Sequence, residues 1–299
     1  MLWPDTFNDY FHPETLIAGV DVLERAGYDV RIPAAPVCCG RPLYDFGMLA
    51  AAKRRLQETL DALGEAIEGR MPIVVLEPSC LSVFRDELGS LLPESEAIRA
   101  VQAQTRTLAE LLAPREDLKW EASGARRVLL HGHCHQKALG GLSAEETLLR
   151  RIGQEYELLD SGCCGMAGSF GFEHDHYEVS QEIGERVLLP AVRDADAATL
   201  IVTDGFSCRE QIAQGTHRRA VHLAQALQMA MSGEPPRALP ERGVAIDYSG
   251  ATLRVYEMVA AGLVALGGAL LLSRLTTKDT KTVNTKNTKT GNTKDTKTA

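Results

Sequence analysis

The sequence has no run of the form C-x2-C-x2-C-x3-C, which excludes a cluster module of the bacterial ferredoxin type. It also lacks a Gly-rich fingerprint between a strand and a helix. The "GLVALGG" near its end sits inside an apolar helix-like run, so no flavin or nicotinamide site is expected in this chain. Basic stripes are missing as well. The net charge is −8, and residues 274–299 carry one Arg and six Lys against two Asp, or +5, which leaves −13 on the rest. An acidic body of this kind argues against nucleic acid as a partner. No basic segment precedes an apolar one at the N-terminus, so no signal peptide is expected. Cysteine is scarce and odd in number, seven in 299 residues. That excludes a disulfide framework and points to a reducing cytoplasm with a metal or redox role.

What the sequence does contain is a duplication. "PETLIAGVDVLERAGYDVRIP" leads to Cys38-Cys39-Gly40, a helix-like run over 49–67, and the apolar strand "PIVVLEPSC" ending at Cys80. "AEETLLRRIGQEYELLD" leads to Cys163-Cys164-Gly165, a helix-like run over 174–192, and "TLIVTDGFSC" ending at Cys208. The offset is 125 residues at both paired cysteines and 128 at the last one, by subtraction of their positions. Short β-rich runs alternate with longer amphipathic ones, which predicts an α/β fold. The expectation is two tandem similar units with parallel sheets and crossover helices, related by a pseudo-two-fold duplication. The first unit is placed at 1–115 and the second at 125–230. Gly27, after "VLERA", is expected to cap a helix C-terminus.

All seven cysteines belong to the repeat: Cys38, Cys39 and Cys80 in the first unit, and Cys134, Cys163, Cys164 and Cys208 in the second. Loops at the carboxyl ends of neighbouring parallel strands converge in space, so residues distant in sequence meet there. Buried apolar cysteines, structural zinc, a redox-active vicinal or cross-loop disulfide, and an iron–sulfur cluster are the readings open at this point. Two adjacent thiolates crowd a single tetrahedral ion, and the C-x2-C knuckles that zinc sites favour are absent. A polynuclear cluster offers each thiolate a different metal atom, and a following glycine lets the backbone approach closely. The residues therefore favour a cluster, at least in the second unit. His131, His133 and His135 flank Cys134. If the strand continued through them, all three would face away from it. Trp3, Tyr44, Phe46, Phe170 and Phe172 are expected to pack around the sites.

Six stretches carry a resemblance: "LWPDTFNDYF", "CCGRPLYDFGML", "LEPSCLSVFRDEL", "HGHCHQK", "DSGCCGMAGSFGFE" and "DGFSCREQ". They resemble the cysteine-rich CCG domain found in heterodisulfide reductase, the glycolate oxidase iron–sulfur subunit and lactate-utilisation proteins. They are similar above all to the C-terminal part of fused FAD-linked oxidase/iron–sulfur oxidoreductases of the 2-hydroxyglutarate dehydrogenase type, over residues 2 to 230. The resemblance implies a C-x-x-C at the end of each unit, yet Glu77 and Gly205 stand at its first position. Asp5 and Thr6 stand where the first unit's leading cysteine is expected. Cys134, Cys163, Cys164 and Cys208 thus suffice for an ordinary [4Fe–4S] cluster but not for the five-cysteine non-cubane one. Cys38, Cys39 and Cys80 form a second site that is degenerate, completed by an oxygen or nitrogen ligand such as Glu77 or Asp5, or empty.

The implied function is an iron–sulfur electron-transfer component of a flavin-linked 2-hydroxy-acid dehydrogenase-type complex, an oxidoreductase component rather than a complete enzyme. Its partner is a separate flavoprotein, or a flavin domain of a longer product, and its acceptor is a downstream one such as membrane quinone. A zinc-binding or metal-free docking module and a cluster-based disulfide reductase component are the alternatives. Beyond the units lie a Pro/Gly-rich linker at 231–255, an apolar helix at 256–275 and a Thr/Lys-rich tail at 276–299 expected to be disordered. The uninterrupted apolar run, 258–272, is 15 residues, short for a membrane span of about 20. This segment would serve as a span or as an interfacial helix, making the cytoplasmic chain membrane-associated.

Overall fold

In the computed structural model, residues 1–34, 36–120 and 127–232 are described. The first unit runs β1 (Leu2–Trp3), α1 (Thr6–Tyr10), α2 (Pro13–Arg25), α3 (Arg41–Asp45), α4 (Leu49–Ala62), α5 (Gly64–Glu68), β2 (Ile73–Val75), α6 (Pro78–Ser82), α7 (Leu88–Leu91), α8 (Glu96–Gln104), β3 (Thr105–Arg106) and α9 (Leu108–Leu112). A π-turn, Val83–Glu87, joins α6 to α7. The second unit runs β4 (Arg127–Leu130), α10 (Cys134–Leu139), α11 (Ser143–Arg151), β5 (Glu155–Leu158), α12 (Tyr177–Glu185), α13 (Leu188–Asp194), β6 (Leu200–Val202), α14 (Phe206–Gly215) and α15 (Leu223–Ser232).

Each unit builds one three-stranded, all-parallel sheet, in the order β1-β2-β3 and β5-β4-β6. A single parallel bridge from Val202 to Val221 extends the second sheet where β3 stands in the first. Strand alternation then divides the core. Leu2, Val74, Val128, Leu130 and Val202 point into one core shared by both units. Trp3, Ile73 and Val75 face the first unit's own core, and Leu129 and Ile201 face the second's.

The shared core is closed by an exchange of helices. The last helix of each unit packs on the long early helix of the other, α15 on α2 and α9 on α11. Helix α2 buries Thr15, Ala18, Gly19, Val22 and Leu23, the i, i+3, i+4, i+7, i+8 stripe that a 3.6-residue period places on one face. It ends as the sequence predicts: Gly27, at φ +85°, follows the C-cap residue Ala26.

Four expectations are corrected by the fold. Neither Cys80 nor Cys208 ends a strand: β2 stops at Val75 and β6 at Val202, and both cysteines lie in the first turn of the following helix. No strand lies between α2 and the first Cys-Cys-Gly among the described residues, although one is expected before each Cys-Cys-Gly; the Leu2 amide of β1 donates to Arg31 O at 2.7 Å. The run 49–67 breaks at Leu63 into α4 and α5. The run 174–192 divides into a 3-10 turn, His174–His176, then α12 and α13. The apolar segment 256–275 and the tail 276–299 lie outside the described residues, as does the linker 231–255 apart from the two residues that close α15. Among the described residues no helix is long and apolar enough to cross a membrane.

Candidate metal centre

In the second unit three strand ends deliver four thiols. After β4 the chain turns through His131, Gly132 and His133, and Cys134 opens α10. After β5 comes Cys163-Cys164-Gly165, and after β6 Cys208 sits in the first turn of α14. Gly165 is at φ +96°, and a Cβ there would lie 2.1 Å from Ser180 O. Only glycine makes this turn, and its amide then donates to Cys163 Sγ at 3.3 Å. The thiols lie near enough to act on one another in turn: Cys134 on Cys163, Cys163 on Cys164, and Cys164 on Cys208. Cys164 and Cys208 are buried, while Cys134 and Cys163 are partly exposed.

The Cys134 and Cys164 thiols, the Gly165 amide and the charge of His133 hold Cys163 low. The Cys164 thiol, with His133 and His131 behind it, holds Cys208 low. Contact with Cys163 together with burial pushes Cys134 up; contact with Cys163 and Cys208 together with burial does the same for Cys164. The pocket is therefore built to carry negative charge on sulfur. His131 Nδ1 is 2.7 Å from Ser161 Oγ, and its buried Nε2 has no hydrogen-bond partner. Lys137 donates to Ser161 O and Gly162 O, fixing the loop that leads into the cysteine pair. Among the described residues no three His, Cys, Asp or Glu side chains are arranged around a single-ion position. A row of sulfurs with amide and imidazole donors suits a polynuclear cluster better than one tetrahedral ion.

The first unit repeats the frame without the charge. Thr6 opens α1 as Cys134 opens α10, and it acts on Cys38 where Cys134 acts on Cys163. Gly40, at φ +78°, donates to Cys38 Sγ at 3.5 Å. Cys39 Sγ and Cys80 Sγ are 3.0 Å apart. All three thiols are pushed up. Contact with Cys39 and then burial raise Cys38. Cys38 pulls Cys39 down but is outweighed by contact with Cys80 and by burial. Cys39 pulls Cys80 down but is outweighed by burial and by the carboxylates of Asp5 and Glu77.

Those carboxylates do not complete a ligand set. Asp5 takes the Asn8 amide at 2.9 Å on Oδ1 and Asn8 Nδ2 at 2.8 Å on Oδ2. Glu77 takes the Ser79 amide at 3.2 Å on Oε1 and the Phe206 amide at 2.8 Å on Oε2. The second unit fits a cluster; the first does not.

A family model for the cysteine-rich domain, CCG, matches residues 6–85 and again 128–213. The chain belongs to this family. One subunit of the anaerobic glycerol-3-phosphate dehydrogenase of Escherichia coli (strain K12) is 32% identical over 231 residues, 74% of this chain and 57% of the relative. The D-2-hydroxyglutarate dehydrogenase of Pseudomonas putida is 30% identical over 77% of this chain and 22% of its own length. Lactate utilization protein A of Bacillus velezensis is 30% identical over 73% of this chain and 94% of its own length. The chain thus spans a little over half the length of the E. coli relative. Its two matches place a cysteine-rich domain on each unit of the duplication.

Within the CCG frame several residues have roles that their local sequence does not announce. The strand ends at Leu130, so the histidine alternation fails. His131 and His133 are buried and act on Cys208, while His135 Nε2 is 3.3 Å from Arg41 Nη2 in the first unit. Burial, then His133 and Arg41, bring His135 down to about 4. Glu77 caps α6, and across the units it also holds the first amide of α14, the helix that carries Cys208. Arg209, on the same helix, reaches back to Thr15 Oγ1 at 2.7 Å and Asn8 Oδ1 at 2.6 Å. Of the aromatics, Trp3 packs edge-on against Phe84 and Phe170 stacks on His176. Phe46 and Phe172 are 62% and 55% exposed and Tyr44 is at the surface, so these three do not pack around the sites.

Proposed function

We propose that the chain is an iron–sulfur electron-transfer component of a flavin-linked 2-hydroxy-acid dehydrogenase-type complex, with one [4Fe–4S] cluster on Cys134, Cys163, Cys164 and Cys208. The observation that carries the reading is the row of four thiols at the ends of β4, β5 and β6, two of them held low by the neighbouring thiols, with the Gly165 amide and the imidazoles adding to the effect. A cluster bound there supplies one-electron storage at a potential set by charge and hydrogen bonding. His131 and His133 balance charge on Cys208, the Gly165 amide supports Cys163, and Lys137 fixes the loop that leads into Cys163. Cys134 and Cys163, the partly exposed pair, mark the side from which a redox partner approaches.

The partner is a flavoprotein, supported by relatives that are named dehydrogenases and of which this chain matches only a part. The further acceptor is a downstream carrier such as membrane quinone. Anaerobic purification with iron and sulfide analysis tests the cofactor: about four irons and a reducible EPR signal are expected. Colourless protein holding a single zinc contradicts it. Stopped-flow mixing with a substrate-reduced flavoprotein tests the role, the expected result being bleaching of the cluster absorbance.

A further inference from the structure

The first unit keeps three thiols in a frame that has lost the means to support a cluster. Thr6 stands at the leading cysteine's place, and Glu77, at another, is engaged with two helix N-termini. What remains is a close pair with a third thiol beside it. Cys39 and Cys80 are buried, their sulfurs 3.0 Å apart, about 1 Å beyond a disulfide bond. Cys38 is partly exposed and is the chain neighbour of Cys39.

Charge decides what this trio can become. Asp5 and Glu77 are buried beside Cys80. Binding an anionic cluster would place negative charge beside two buried carboxyl groups, Asp5 and Glu77, whose own ionisation burial already opposes. Oxidation of two thiols to a disulfide removes two protons along with two electrons and leaves the charge of the site unchanged.

We propose that Cys39 and Cys80 form a two-electron dithiol–disulfide couple, with Cys38 as the exchange thiol that links it to low-molecular-weight thiols and disulfides. The exchange balances with a disulfide R–S–S–R as oxidant. Cys38 gives up its proton as its sulfur attacks R–S–S–R, forming Cys38–S–S–R, and the departing sulfur takes up that proton and leaves as RSH. Cys39 attacks the Cys38 sulfur, forming the vicinal disulfide and releasing the second RSH. Cys80 attacks the Cys39 sulfur, forming Cys39–Cys80 and returning Cys38 as a thiol. Two protein thiols are oxidised and R–S–S–R is reduced to two RSH. The second unit's cluster takes no part, so the couple stands or falls separately from it.

The test uses the full chain, incubated anaerobically with oxidised glutathione or with dithiothreitol, then acid-quenched, denatured in N-ethylmaleimide, digested and mapped by mass spectrometry. A Cys39–Cys80 link is expected after glutathione and absent after dithiothreitol, with Cys38 alkylated in both. Cys38→Ser should slow formation of the link at least tenfold while leaving its endpoint unchanged. Full alkylation of Cys39 and Cys80 after glutathione, or a link that stops at Cys38–Cys39, overturns the proposal. Iron content gives a readout independent of the linkage. In Cys38→Ser/Cys39→Ser/Cys80→Ser it should equal that of the wild type, and a fall to half would show a cluster in the first unit. Iron-free wild-type protein that still forms the Cys39–Cys80 link would remove the cluster reading and leave this one standing.

Discussion

Glu77→Ala is the most informative single change, because this carboxylate stands where the family pattern places a cysteine and holds together both units. Two amides lose their acceptor: Ser79 N–H in α6, at 3.2 Å, and Phe206 N–H at the start of α14, at 2.8 Å. Loss of a helix cap costs about 0.5–2 kcal/mol. The Phe206 amide is left buried without its partner, which costs about 1–3 kcal/mol. Relief of the buried, desolvated carboxyl, whose pKa burial raises, offsets part of this sum. A net loss of about 1–3 kcal/mol remains, or roughly 2–12 °C in Tm for a body of this size. Cys208 lies two residues beyond Phe206 on the same helix, so iron should also leave faster. Thermal melts of the apo chain and iron release to a chelator measure the two effects. Glu77→Gln should fall between, since its amide oxygen can still accept one of the two bonds. A Tm within a degree of wild type, with unchanged iron release, would refute the claim that Glu77 anchors the Cys208 helix.

Cys164→Ser should reduce iron from about four per chain to below one, with the apo Tm shifted by a few degrees at most, as read by metal analysis and circular dichroism. Gly165→Ala should destabilise by more than about 2 kcal/mol in urea melts, because it adds a left-handed Cβ to a 2.1 Å clash with backbone Ser180 O. Burial first, then Asp204 and Glu110, push Glu145 up to about 8. Its folded-state value lies above the unfolded one, so the stability it contributes is present below about pH 4.5 and is lost as pH rises towards 8. Glu145→Gln should therefore gain on wild type across that window, by on the order of a few kcal/mol at pH 8.5; parallel pH–Tm curves for the two proteins would refute it.

The parts of this fold that were legible in the sequence are those set by local pattern. The apolar runs at Ile73–Val75 and Leu200–Val202 became strands, the stripe from Thr15 to Leu23 became a helix ending at Gly27, and the repeated Cys-Cys-Gly located both sites. The helical placement of Cys80 was readable too: Pro78 directly after Glu77 is a helix-start signature, acid at the cap and proline in the first position. What could not be read is what depends on long-range pairing. The Glu77–Phe206 bond joins residues 129 apart, and Arg209 meets Asn8 across 201. The exchange of α9 and α15 between units leaves no periodic trace, because each helix shows the same apolar stripe whichever unit it covers. The histidines misled for a related reason, since alternation holds only while a strand lasts and β4 ends at Leu130.

On the proposed reading, one unit of the duplicated frame holds a cluster and the other does not. Iron and acid-labile sulfide counted together in the anaerobically reconstituted full chain test it most directly. About four of each per chain is the predicted result. About eight of each, or none with a single zinc in their place, would contradict it.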